Sequence, residues 1–323
     1  MPYFARPGPR GRSVVQRWAV FNPLDGRLRS LCEKQRSTTI PETLRQLTSS
    51  INIDHVIGFV GIVVFAAWLL RTSLGRRSLV DAPPRRNSMA PYVPFIPFVV
   101  WFFGVFLLQS AIDSFVRPVE GEQKVFQDQA VYCIAAVLTV VGLVLPLAQI
   151  HFARGLRGFG LRLRSLPKDL PAAAIHLLAI WPLVLGAIIV TTVVATVVSQ
   201  MLWGHDFEMP QHEALKEMAQ HPTVPLQIVL VVLAVVVAPL TEEMIFRGLF
   251  QTMIRSYLGR PWLAIVVTSV LFAMVHGDLA HWPALFVLAL GLGYAYEKSG
   301  SLFRPIFMHA MFNGVAVAST LAG

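Results

Sequence analysis

The feature that most constrains this chain is a series of apolar runs, each close to the length that an α-helix needs to cross a bilayer. A helix rises about 1.5 Å per residue and the hydrocarbon core is about 30 Å thick, so about 20 apolar residues suffice. Runs of this kind lie near positions 56–70, 92–112, 129–150, 171–202, 224–239 and onward, 262–276, 283–297 and 304–321. They are continuous rather than alternating, which argues against a transmembrane β-barrel. The expected architecture is therefore all-α, a polytopic transmembrane bundle of about eight helices. Composition agrees: 55% of the residues are hydrophobic and 14% charged, more apolar surface than two soluble domains could bury.

Three regions follow. Residues 1–50 form a polar, basic tail with Pro and Gly throughout, too broken to span or to serve as a secretory signal core. Residues 51–222 hold the amino-terminal transmembrane helices, and residues 223–323 the carboxy-terminal helices, where the chemistry lies. The net charge of +9 does not point to nucleic acid, because the basic residues collect in loops beside apolar runs, where anionic lipid head groups attract them. Membrane lipids are the expected partner. Arg71, Arg76, Arg77, Arg85, Arg86, Arg154, Arg157, Arg162, Arg164, Lys168, Arg255, Arg260, Lys298 and Arg304 outnumber the bases of the alternate loops, which predicts that their side is cytoplasmic and the amino terminus outside. Cys32 and Cys133 lie far apart and suggest neither a disulfide framework nor a zinc ribbon.

The informative stretch is Ala238-Pro239-Leu240-Thr241-Glu242-Glu243-Met244-Ile245-Phe246-Arg247-Gly248. An acidic residue at mid-helix costs roughly 2.5 to 3.5 kcal/mol on insertion scales, so two adjacent ones need partners, water or a proton. Arg247 follows Glu243 by four residues, on the same helical face, and the two can neutralise each other. Glu242 points about 100° away around the helix and gains little from Arg247. It is the freer carboxylate and the better candidate for a general base. The bland alternative is a charged helix end at the membrane interface.

His276 ends the next apolar run and, alone, reads as an interfacial residue. The turn Gly259-Arg260-Pro261, however, starts 17 residues after Glu242 and ends 15 before His276, so a hairpin closing there returns the imidazole to the depth of Glu242. His309 and Asn313 are four apart on one face of the last run. Such a pair can bridge helices, or its donors can converge on an oxygen that becomes negative. The polar residues His205, Asp206, Glu208, His212, Glu213, Glu217 and His221 read as a solvated acidic loop, Asp278 and His281 as a surface turn, and His55, His151 and His176 carry no assignment.

Taken in order, EExxxR (Glu242, Glu243, Arg247), FxxxH (Phe272, His276) and HxxxN (His309, Asn313) resemble the motifs of the CAAX prenyl protease and bacteriocin-processing family of intramembrane proteases, also called the Abi family. The flanking Ala-Pro, Phe-Arg-Gly and Ser-Gly-Ser-Leu are similar too, and the resemblance covers roughly residues 224–313. It implies an eight-helix core with a site opening to a cavity within the bilayer. It also implies that Glu242 with His276 activates a water, that His309 and Asn313 bind the carbonyl oxygen, and that Glu243 and Arg247 hold the site together. The expected protein is an intramembrane endopeptidase without a cofactor, multi-pass in a bacterial-type plasma membrane, acting on a membrane-anchored or lipidated peptide. A zinc or other divalent site built from the same glutamates and histidines is the alternative, as is a non-catalytic scaffold or immunity factor of the same fold. A transporter would need repeated halves, which the sequence lacks.

Overall fold

A computed structural model of the chain describes residues 53–83, 85–115, 119–210, 213–220 and 223–322. The tail 1–50 with Cys32, and the loop positions His212 and His221, lie outside the described residues. Among the described residues there is no strand; the only sheet-like pairing is a bridge between Asn87 and Phe152. The helices are α1 (Ile53–Arg71), α2 (Phe95–Phe115), α3 (Glu122–His151), α4 (Leu166–Trp203), α5 (Glu213–Gln220), α6 (Val224–Leu258), α7 (Pro261–Met274), α8 (Trp282–Ser299) and α9 (Phe303–Ala322). Each of the eight apolar runs read from the sequence falls on one of them.

Helices α2, α3 and α6, together with the stretch Leu156–Trp203 that contains α4, are long and apolar enough to cross a membrane. Large apolar side chains remain exposed along α2 (Phe102, Phe103, Phe106, Leu107) and α4 (Ile189, Val190, Val193, Val194). Outward apolar surface on long apolar helices faces lipid rather than water, so this is an integral membrane protein. Inside the bundle, α6 packs against α3, α7, α8 and α9, while α4 covers α8 and α9. Helix α6 is therefore the buried axis, and from Thr241 to Met253 every residue on it is buried.

The internal proline shapes α6. Pro239 has no N–H to donate and its ring crowds the preceding turn, so the helix widens just upstream into a π-type turn at Leu233–Val237. In that five-residue register the carbonyl of Ala234 would look to residue 239 for a donor and find the proline. Asn313 Nδ2 on α9 donates to that carbonyl instead, at 2.8 Å. A second widened segment, Met244–Gln251, carries Arg247 and Gly248. A Cβ at Gly248 would lie 2.3 Å from the ring of Phe159, so only glycine admits this close approach. Gly259, with φ of 66°, ends α6 in the left-handed conformation, and Pro261 opens α7. The hairpin read from the sequence thus closes where its turn residues stand.

One stretch departs from the sequence reading. Part of the acidic loop before α6 folds as α5, because Met218 buries against Leu226 and Leu230 of α6 and Val317 of α9. Its polar residues occupy the other faces of an amphipathic helix, and the isolated charge pattern hid that apolar contact.

Candidate functional site

Helices α6, α7 and α9 meet around one carboxylate oxygen. Glu242 is 7% exposed, and its Oε2 is buried without a hydrogen-bond partner. His276 Nε2, just past the end of α7, lies 3.7 Å from that oxygen, and His309 Nε2 of α9 lies 4.0 Å from it. Both gaps exceed a direct hydrogen bond and are of a size that a water can bridge.

The far side of each imidazole is fixed. His276 Nδ1 stands 2.7 Å from the backbone carbonyl of Phe272. A carbonyl can only accept, so Nδ1 carries the proton and, in the neutral ring, Nε2 presents a lone pair towards Glu242. His309 Nδ1 donates in the same way to Glu243 Oε1 at 3.0 Å. Two imidazoles therefore turn their Nε2 edges to one carboxylate. The phenyl ring of Phe272 backs both, with ring centroids 4.5 Å from His276 and 5.8 Å from His309.

Glu243 and Arg247 form the support beneath. Arg247 Nη1 donates to Glu243 Oε1 at 3.0 Å, and Nη2 donates to the carbonyl of Ala289 on α8 at 3.3 Å. The guanidinium also lies over the Phe272 ring, 4.4 Å from its centre. Both charged side chains are completely enclosed, so each needs the other in low dielectric. Because Glu243 Oε1 holds Arg247 and His309 together, the pair also fixes the His309 ring. Asn313 is placed differently from the other candidates. Its amide is bonded to Ala234, about two helical turns before Glu242, which leaves its second N–H for other use.

Some polar residues around this support were passed over in the sequence. Gln251 continues the buried stripe one turn beyond Arg247 and donates to the carbonyl of Gly293 at 3.0 Å and to Glu297 Oε2 at 3.3 Å. The signal was present: Glu243, Arg247 and Gln251 recur every four residues in an apolar run. The other polar clusters stay apart from the site. His205 Nδ1 is 3.2 Å from Ser199 Oγ at the end of α4, Asp278 accepts from the backbone of Ala280, and His176 bonds to the carbonyl of Ala172.

A metal ion fits this donor set poorly. Among the described residues no group of three or more His, Cys, Asp or Glu side chains is arranged to hold one.

Comparison with known proteins gives partial matches. Over 116 residues the chain is 29% identical to an uncharacterized 24.3 kDa protein of Escherichia coli, covering 35% of this chain and 54% of that one. It is 27% identical over 135 residues to the membrane-embedded CAAX protease MroQ of Staphylococcus aureus (strain USA300), covering 40% and 53% respectively. It is likewise 27% identical over 128 residues to YdiL of Bacillus subtilis (strain 168), named as a candidate membrane peptidase, covering 40% and 50%. The chain thus spans about half the length of the curated relatives it matches. No solved structure matches it. Residues 224–315, which carry all three motifs and every side chain around Glu242, match the family described as type II CAAX prenyl endopeptidase Rce1-like, the same family that the motifs resemble.

Proposed function

We propose that the protein is an intramembrane endopeptidase that hydrolyses a peptide bond of a membrane-anchored or lipidated substrate with a glutamate-activated water. The observation that carries this reading is the buried, unpartnered Oε2 of Glu242, faced by two imidazole nitrogens at bridging distance. A buried carboxylate without a donor is costly, and it persists where the open valence serves a reaction.

A water between Glu242 and His276 gives a proton to the carboxylate as its oxygen attacks the substrate carbonyl carbon. The carbonyl oxygen becomes negative, and Asn313 with His309, both on α9, receives it. The proton on Glu242 then passes to the leaving amine as the C–N bond breaks, which restores the carboxylate and balances the water added. His276 orients the water and stabilises the transient charge. Glu243 and Arg247 act through His309 and are positioning residues. No step uses a metal or another cofactor.

The substrate lies in or at the bilayer because Glu242 sits on α6 in the middle of the bundle, and lipids are the surrounding partner. The matched bacterial relatives favour a bacterial-type plasma membrane. The test is purified protein in bilayer mimetics incubated with membrane-anchored peptides, wild type beside Glu242→Gln. Cleavage by the first and not by the second is the expected result; cleavage by both removes Glu242 from the mechanism.

A further inference from the structure

Exposure is uneven around Glu242. The side chains of Glu243 and Arg247 are closed and those of Glu242 and His309 nearly so, but His276 is 17% exposed, and in the turn between α7 and α8 His281 reaches 25% and Asp278 42%. The centre therefore opens past His276 towards that turn. Helix lengths set the depth of the turn. Helix α7 has 14 residues and starts beside Arg260, on the side of the bundle that also carries Arg255 and Lys298, and α8 returns to that side in 18 residues. At about 1.5 Å per residue they rise about 21 and 27 Å, short of the roughly 30 Å of hydrocarbon. The turn thus stops inside the far leaflet, while α6, with 35 residues, runs on past it. Irregular backbone and polar side chains at such a depth line a wet recess or meet a partner, because lipid satisfies neither.

The turn is held in one shape. Gly277 has a φ of 74°, the N–H of Asp278 donates to the carbonyl of His276 at 2.9 Å, and that of His281 to the carbonyl of Asp278 at 3.1 Å. Asp278 Oδ1 accepts from the N–H of Ala280 at 2.9 Å, which closes the turn. Its Oδ2 is left over. His281 Nδ1 stands 3.7 Å from it, beyond a direct hydrogen bond, and no lysine or arginine among the described residues pairs with it. Shaping the turn needs only Oδ1, which an asparagine would supply equally, so the charge on Asp278 has no use within the fold. Asp278 does not touch Glu242, but two residues cover at most about 7 Å, so it stays close to His276. An extended substrate advances about 3.3 Å per residue, which brings a side chain two to four residues from the scissile bond within its reach.

We propose that Asp278 is a specificity residue: at the open edge of the site its free carboxylate oxygen binds a lysine or arginine side chain two to four residues from the scissile bond, so that the substrate is a basic peptide. This rests on the endopeptidase reading and names the substrate class of that same site. The ammonium or guanidinium group donates to Oδ2, and a charge-assisted bond of this kind is stronger than a neutral one. The contact is made before the water adds to the carbonyl carbon and does not change as it adds, so it selects the substrate without taking part in the chemistry.

The experiment uses the full chain in bilayer mimetics and membrane-anchored peptides in which the residues two to four positions on either side of the cleaved bond are set in turn to Lys, Gln or Glu. At one of these positions Lys should lower KM about 10-fold relative to Gln with kcat unchanged, as expected of a charge-assisted contact made equally in ground and transition states. Asp278→Asn, which keeps the turn, should abolish that preference, and Asp278→Lys should transfer it to the Glu peptide. No preference in wild type, or the same preference in Asp278→Asn, overturns the proposal and leaves the endopeptidase reading standing. If wild type cleaves none of the peptides, their affinities for wild type and for Asp278→Asn decide. Tighter binding of a Lys peptide that disappears in the variant then retains the site for a basic side chain and overturns the endopeptidase reading alone, whereas equal or absent binding overturns both.

Discussion

Two buried glutamates in this bundle are treated in opposite ways. Glu297, on α8, is 2% exposed and has both oxygens occupied: Arg85 Nη1 donates to Oε2 at 2.8 Å, Gln251 Nε2 to the same oxygen at 3.3 Å, and Arg255 Nε to Oε1 at 3.2 Å. Glu242, on α6, has an Oε2 with nothing in hydrogen-bond reach and two imidazole nitrogens just beyond it. Burial is similar and the surroundings are equally apolar, so desolvation charges both alike. The difference lies in the donors. Glu297 ties a loop, the end of α6 and α8 into one structure, and Arg85 also stacks on the Tyr296 ring, 3.7 Å from its centre. Glu243 and Asp169 also keep one oxygen open, but their other oxygens hold Arg247 with His309 and Arg304, whereas the open oxygen of Glu242 faces two imidazole nitrogens.

The largest expected effect is on Glu242. Its replacement by Gln keeps the shape and removes the group that receives the proton, so peptide cleavage should fall about 1000-fold or more. Melting temperature should stay level or rise, because a charge that is costly to bury is gone. A Glu242→Gln protein that melts well below wild type would mean that this carboxylate is structural after all, and the contrast with Glu297 would collapse.

Glu243→Gln sharpens the comparison from inside the site. Arg247 would lose its only carboxylate at 3.0 Å, and His309 the acceptor of its Nδ1 proton. Breaking a buried pair costs about 3 to 5 kcal/mol, so folded yield and melting temperature should drop. The fraction that folds should also turn over slowly, since the His309 ring is no longer held. Should this variant fold normally and be inactive while Glu242→Gln cleaves, the roles of base and positioning partner are exchanged.

Glu297→Gln should destabilise somewhat less, by about 2 to 3 kcal/mol, because Arg255 is partly exposed and its charge finds water. Turnover per folded molecule should match wild type. Thermal melts and single-turnover cleavage on the same preparation measure the two separately. Loss of turnover in a well-folded Glu297→Gln would show that the hub and the site are coupled through Gln251.

How far the sequence reveals this arrangement depends on the range of the interaction. The helices are legible because each apolar run is its own signal, and the meeting of α6 with α7 is legible because Gly259 and Pro261 mark the turn. The Glu243 and Arg247 pair is likewise local. The widened turns are not legible: Pro239 disturbs the helix, but whether the disturbance becomes a kink or a π-type turn depends on an acceptor such as Ala234 finding Asn313, 79 residues away. Glu297 escaped notice for the same reason, since Arg85 stands 212 residues from it and nothing in the local spacing joins them.

The smallest expected effect, no change at all, is that of chelators. A metal would need Glu242, His276 and His309 to close on one point, yet the imidazole nitrogens stand 3.7 and 4.0 Å from the carboxylate oxygen. The outer bonds, of His276 to the Phe272 carbonyl and of His309 to Glu243, which Arg247 also holds, fix the two rings at these distances. Water asks for less, since longer contacts with flexible angles suffice to bridge the same atoms. Cleavage measured before and after EDTA treatment, then after adding back zinc, should give one rate throughout. A rate that vanishes with the chelator and returns with zinc would make Glu242 a ligand rather than a base. It would leave the comparison with Glu297 intact but change what the open oxygen is for.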